Sequence, residues 1–289
     1  LRPVHYITIA VAIIVVALLY WGGNTNPPAK PMAENRRNSA AAPAGMPPGS
    51  NTMKPASFDS IVAASDKQLP KTAVDEAHAI ENELAAIRDS SQMAAVFYKL
   101  AQVYEKHKQL PVAAYYSAKA AKLENSEKKL TFAAQFFLEL MHDSSAAPEV
   151  QLWEAQQAIA CLDKATAIDP NNDTAKLMMA SAYIEGTGET MQGVQLLLGI
   201  TREKPDDVPA NLMLGKLSVQ SGQFDKAIGR FETVLKVQPK NREALYFLAE
   251  AYKGKGDKAK AIQLFEQCKQ VVNNPEFSKD IDNYINTFK

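Results

Sequence analysis

Gly193, Ala227 and Ala261 stand 34 residues apart, and the chain repeats a pattern around each of them. Four residues on come the bulky Leu197, Phe231 and Phe265, and twelve on come Pro205, Pro239 and Asn273. Ala158, Leu162 and Pro170 form the same pattern one period earlier, and Ala113 extends it further, with Ser117 in the bulky position. A second column of small residues, Ala101, Ala134, Ala180, Gly215 and Ala249, precedes an aromatic column of Tyr104, Phe137, Tyr183 and Tyr252, with Ser218 the exception. Each period therefore carries two helical faces. Small residues let two backbones approach without overfilling the gap, and the bulky ones fall at helical spacing on the covered side. A lone helical hairpin cannot bury such a face; a stack of them supplies a continuous core. Glycine-containing turns at Ser221–Phe224 and Gly254–Asp257 fit the bend inside a hairpin, and the prolines stop the second helix.

These residues resemble the tetratricopeptide repeat family, whose unit is a helix–turn–helix of 34 residues. The unit Val208–Asn241 carries the likeness best, with Leu214, Gly215, Gly222, Ala227, Phe231 and Pro239 on the family's positions. Arg242–Pro275 follows it closely, with Asn273 in place of the closing proline. The resemblance implies an all-α protein: a right-handed superhelical solenoid of about five hairpins over residues 94–275, flanked by capping helices. It also implies that the first helix of each hairpin lines a concave groove that reads a partner protein. Carried over position by position, the groove comprises Tyr98, Thr131, Leu177, Leu212 and Tyr246 in one column and Gln102, Gln135, Ser181, Lys216 and Glu250 in a second, with Met178 and Met213 beside them. Some family members clamp a C-terminal carboxylate with lysine, arginine and asparagine. Here the columns hold one lysine and no asparagine, so an apolar, methionine-bearing strip suited to a peptide or helix is expected instead.

Two departures interrupt the repeat. His142–Pro148 and the helix after it are inserted between Phe137 and Ala158, so Trp153 stands either in a protruding partner contact or packed against a neighbour. The turn at Glu185–Thr190 carries one extra residue. Ahead of the repeats, residues 58–93 contain an amphipathic stretch over Thr72–Arg88 and a shorter helix over Phe58–Leu69, broken at Pro70, which together form a degenerate repeat or cap. Residues 276–289 place Phe277, Ile281, Tyr284, Ile285 and Phe288 on one stripe, suited to a terminal capping helix.

The N-terminal portion is different in kind. Val4–Gly23 is apolar all round, of about the 20 residues a bilayer core requires, with Tyr6, Tyr20 and Trp21 at its ends, so residues 1–23 are expected to be a transmembrane anchor. A cleaved signal peptide is disfavoured, because no small-x-small site follows the run directly. Residues 24–57, rich in Pro, Ala and Asn, are expected to be a flexible linker that raises the body's effective concentration near the membrane. Positive-inside counting of Lys30, Arg36 and Arg37 favours a cytoplasmic body. Analogy with short signal-anchors favours a periplasmic one at a bacterial inner membrane, and that orientation is the expectation taken here.

No catalytic constellation accompanies the repeats. His5, His78, His107 and His142 are isolated, and neither a phosphate-binding glycine loop nor a nucleophile elbow is present. Cys161 and Cys268 have no metal-ligand spacing. Formal charge is zero overall; Arg2, Lys30, Arg36, Arg37 and Lys54 against Glu34 make residues 1–57 +4, leaving −4 on the rest. An acidic body lacks the basic footprint of a nucleic-acid binder. The expectation is a membrane-tethered adaptor that binds another protein, with no cofactor, metal, small-molecule substrate or enzymatic activity. A role in envelope secretion, chaperoning or complex assembly is the leading form; a constitutive structural subunit of a membrane complex and an accessory factor of cytochrome c maturation stay open.

Overall fold

The computed structural model describes residues 53–143 and 145–289; the expected transmembrane helix and most of the expected linker lie outside them. The described residues form thirteen α-helices and one π-helical turn, with no strand among them. None of these helices is long and apolar enough to cross a membrane. They are α1 (Phe58–Asp66), α2 (Lys71–Leu84), α3 (Ser90–Lys106), α4 (Leu110–Glu124), α5 (Glu127–Met141), α6 (Pro148–Ile168) and α7 (Asp173–Ser181). After the π-turn (Ala182–Thr187) come α8 (Thr190–Glu203), α9 (Val208–Gln220), α10 (Phe224–Val237), α11 (Arg242–Lys255), α12 (Lys258–Val272) and α13 (Pro275–Asn286).

From α3 onward each helix packs on the next, giving hairpins α3–α4, α5–α6, α7–α8, α9–α10 and α11–α12, with α13 laid on α12. The described residues form an all-helical solenoid of stacked hairpins. Local chemistry separates the two helices of a hairpin. Every first helix is capped by a side chain: Asp89, Ser126, Asn172, Asp207 and Asn241 each accept the N–H of the third residue of the helix that follows. Each such cap contributes about 1 kcal/mol by satisfying an amide that the helix itself cannot. The second helices α4, α6, α8 and α10 lack such a cap, and only α12 among the second helices has one, from Asp257 to the Lys260 N–H. The residues before the closing prolines share one extended conformation: Asp169 (φ −125°, ψ 92°), Lys204 (φ −129°, ψ 84°) and Gln238 (φ −128°, ψ 82°). A proline ring excludes the α region from the residue before it, so the second helix ends there in three successive units.

The small columns lie in the core. Ala113, Ala158, Ala227 and Ala261 are almost wholly buried, as are Ala134, Ala180 and Ala249. The glycines in these columns are required by close approach: a Cβ on Gly215 would stand 2.6 Å from the Phe231 ring, and one on Gly193 2.7 Å from the Ala180 carbonyl oxygen. The bulky column, Leu162, Leu197, Phe231 and Phe265, is fully buried. In the aromatic column, Tyr104 and Phe137 are buried, but Tyr183 and Tyr252 are only half-buried. Asn211 is a buried amide with its hydrogen bonds made: its Nδ2 donates to the carbonyls of Pro205 and Asp207, and its Oδ1 accepts from Arg230.

The N-terminal helices do not form a sixth hairpin. α1 packs on α4 and α2 on α3. The Phe58 ring stacks on Tyr115 at 3.7 Å, the Tyr104 hydroxyl donates to Asp66 at 3.2 Å, and the Tyr116 hydroxyl donates to Glu81 at 2.6 Å. α2 ends at Leu84, short of the expected Arg88, and the chain leaves through two tight turns in which Ala86 and Ile87 donate three residues back. The last residues assigned to the linker are also pinned: the Ala56 N–H donates to the Glu149 carbonyl at 2.8 Å, and Ser57 caps α1. Pro275, taken as the end of a unit, instead opens α13, where a missing N–H does no harm.

Both departures from the repeat are resolved as packing. α6 has 21 residues against 14 in α8, an extra two turns at its N-terminal end. They carry Trp153 inward, not out to a partner: it is 5% exposed and lies against Phe58, Tyr115 and Phe137. The extra residue near Glu185 widens the end of the first helix of the third hairpin into the π-turn.

Candidate protein-docking face

The twelve residues taken from the repeat alignment all lie on the first helices α3, α5, α7, α9 and α11, in equivalent places one unit after another. Burial distinguishes them. Gln102 and Gln135 are exposed, and the other ten are half-buried, each presenting part of its surface while its base packs inward. They do not converge on one point. Tyr98 and Met178 pack against the core of the first two hairpins, Leu177 and Met213 against that of the middle, and Leu212 and Tyr246 against that of the last. What results is a strip along the stack. The first helices α5 and α7 touch, as do α9 and α11.

Polar groups edge this strip and are largely engaged with one another. The Tyr98 hydroxyl donates to Glu124 at 2.9 Å, while Lys129 sits 5.0 Å over its ring. Burial and the bond to Glu124 raise the Tyr98 hydroxyl's pKa. Thr131 donates to Glu127 at 2.8 Å, Gln135 to Glu139 at 3.0 Å, and Ser181 to Glu185 at 3.3 Å. Lys216 pairs with Glu243 at 2.8 Å and overlies the Phe247 ring at 5.8 Å. Glu250 meets Lys253 at 3.5 Å through Oε2, whereas its Oε1 is buried and without a partner among the described residues. Tyr246, wedged edge-on between Phe247 and Phe265, has its hydroxyl pushed up to about 12 by burial. Among the described residues no group of three metal-ligating side chains comes together.

Two apolar residues of the same face were not among the twelve. Phe132 is 69% exposed, the most exposed large apolar side chain described, and Phe247 is half-buried beside Lys216. Both occupy the position of Met178 and Met213 in their own units, one residue after Thr131 and Tyr246. Extending the methionine column in both directions along the alignment would have found them.

Residues 212–270, running from α9 into α12, match the family model described as tetratricopeptide repeat. This stretch is built of tetratricopeptide repeats. A curated relative, anaphase-promoting complex subunit 3 of Dictyostelium discoideum, is 31% identical over 86 residues, 30% of this chain. That match spans 9% of the relative's length. Among solved structures, the chain is similar to MamA at 18% identity and a TM-score of 0.49, over 62% of this chain and 92% of that one. It is also similar to YrrB, described as a TPR protein with an unusual peptide-binding site, at 15% identity and a TM-score of 0.47, over 72% of this chain and 99% of that one.

Proposed function

We propose that this tetratricopeptide-repeat chain is a protein-interaction adaptor that receives a partner's peptide or amphipathic helix along the first-helix strip, docked by its apolar face. The observation that carries this reading is Phe132, which leaves 69% of its surface to solvent in a row that continues through Met178, Met213 and Phe247. Exposed apolar side chains are ordinary when single; a row repeated on successive helices is what a docked helix would cover. Methionine and phenylalanine on such a row adapt to varied partner shapes. The engaged rim pairs, such as Lys216–Glu243, leave little free charge to recruit a carboxylate.

The adaptor works at a membrane in this proposal: Val4–Gly23 anchors it once in a bacterial inner membrane, with the repeats on the periplasmic side. Support comes from the length and apolarity of that run. A topology reporter fused after Lys289 tests the orientation, and activity of the reporter only in the cytoplasm would refute it.

The docking reading is tested by cross-linking capture from the native membrane with aspartate at Leu177, Met178, Leu212 or Met213. Capture is expected to fall at least tenfold while far-UV circular dichroism is unchanged. Undiminished capture by all four variants would move the binding surface elsewhere.

A further inference from the structure

The two departures from the repeat face each other across a single cavity. Gly186, in the π-turn, is seated so closely on the second hairpin that a Cβ there would stand 2.4 Å from the Ala155 Cβ and 2.5 Å from the Met141 sulfur. Beside this contact opens a cavity of about 440 Å³, within the range of small-ligand sites. Met53, Met141, Pro148 and Leu152 make an apolar wall, and His142, Gln151 and Glu185 stand at its polar edge. The π-turn belongs to a class of helix irregularity that recurs at functional sites.

Charge singles out the ligand. The protein balances 32 basic against 32 acidic residues, yet residues 130–163 and 177–201 contain no lysine or arginine at all. Of the residues that line the cavity, Glu185 is the one carboxylate and none is lysine or arginine. The one basic group at the edge, the His142 imidazole, lies 3.7 Å from the Glu185 carboxylate. Behind the rim, Gln151 Nε2 ties down the Asp143 carbonyl at 2.9 Å.

We propose that this cavity is a second binding site, adjoining the first-helix strip where Ser181 donates to Glu185, that takes an organic cation on an aliphatic stem: the side chain of a lysine or arginine. The stem lies along Met141 and Leu152, as long basic side chains lie on apolar surface, and the cation reaches the Glu185 carboxylate. An apolar wall with a carboxylate at its edge selects such a side chain over both a neutral apolar one and a small hydrated cation.

The test titrates the full chain with N-acetyl-Ala-Lys-Ala-amide, its arginine counterpart, a norleucine counterpart and free 1,5-diaminopentane, followed by NMR at the Met141 methyl and the amides of residues 185–188. The basic peptides are expected to bind at least tenfold more tightly than the norleucine peptide. Glu185→Gln should abolish that difference, and Glu185→Lys should abolish binding. The exposed Glu185 carboxylate makes neither change a threat to folding, and unchanged spectra elsewhere check this. Tighter binding of the basic peptide than of the diamine assigns the cation to a polypeptide; equal binding assigns it to a free amine at the same site. Equal affinity for norleucine, or shifts that map away from these residues, overturns the proposal. Leu212→Asp, on the first-helix strip, should leave this binding unchanged, which separates failure here from failure of the docking reading.

Discussion

Glu154 is 1% exposed, and its Oε2 has no hydrogen-bond partner among the described residues. Burial, with a smaller push from Asp143, raises its carboxyl from 4.5 to about 7. The sign of the consequence follows from proton counting. Between those two pH values the folded chain holds a proton that the unfolded chain has released, so stability falls as pH rises. The favourable contribution is fully present below pH 4.5 and lost as pH passes about 7. At about 1.4 kcal/mol per pH decade, the full loss is on the order of 3 kcal/mol. Glu154→Gln keeps the shape and cannot ionise. It should match the parent near pH 4.5 and exceed its stability at pH 8 by up to about 3 kcal/mol, since the neutral acid and the amide leave similar polar atoms unpaired. Asp143 shifts the opposite way, held low by the N–H of Ser145, so it is ionised throughout this pH range in both proteins and cancels in the difference. Urea unfolding of both proteins at half-unit steps from pH 4.5 to 8.5, read by fluorescence, gives that difference directly. A variant less stable than the parent at pH 8, or a difference flat with pH, would refute the reasoning.

Other perturbations read different parts of the fold. Gly215→Ala forces a Cβ to 2.6 Å from Phe231 and should destabilise by about 1–3 kcal/mol in chemical denaturation, whereas Gly229→Ala, with nothing within 4 Å, should be neutral or stabilise by up to about 1 kcal/mol. Phe231→Ala removes a fully buried ring from the middle of the stack and should cost about 3–5 kcal/mol by the same assay. Asp207→Ala deletes the 2.8 Å cap on the Ala210 N–H and should lower stability by about 1 kcal/mol. Cys161 and Cys268 are buried, and burial pushes both thiols up to about 11, so a thiol reagent at pH 8 should label them only after urea is added.

The stack was legible in the sequence because its determinants are local and periodic. Ala227, Phe231 and Pro239 each answer to one contact or one backbone restriction, repeated every 34 residues, so alignment of the chain with itself reveals them. The caps Asp207 and Asn241 obey the same spacing. What was not legible depends on contacts between segments with no shared period. α1 lies across α4 because Phe58 finds Tyr115 and Trp153, and no pattern within Phe58–Asp66 encodes that choice. The sequence left Trp153 between projecting and packing because the helix carrying it is too long for the repeat; only the ring contacts with Phe58 and Phe137 decide for packing. The π-turn answers to an inserted residue, but its seat against Ala155 and Met141 is a tertiary fact. On the docking face, the methionines drew attention by their chemistry, whereas Phe132 and Phe247, which the same column reaches by alignment, were passed over because a phenylalanine reads as core until its exposure is known.

Docking along the first helices is the account's central claim, and site-specific photo-crosslinking measures it most directly. A benzophenone side chain replacing Phe132 on α5 should trap a partner in the native membrane at a yield at least tenfold above the same group at Gly229, an exposed position on the second helix α10. Equal trapping at the two positions, or trapping at Gly229 alone, would contradict it.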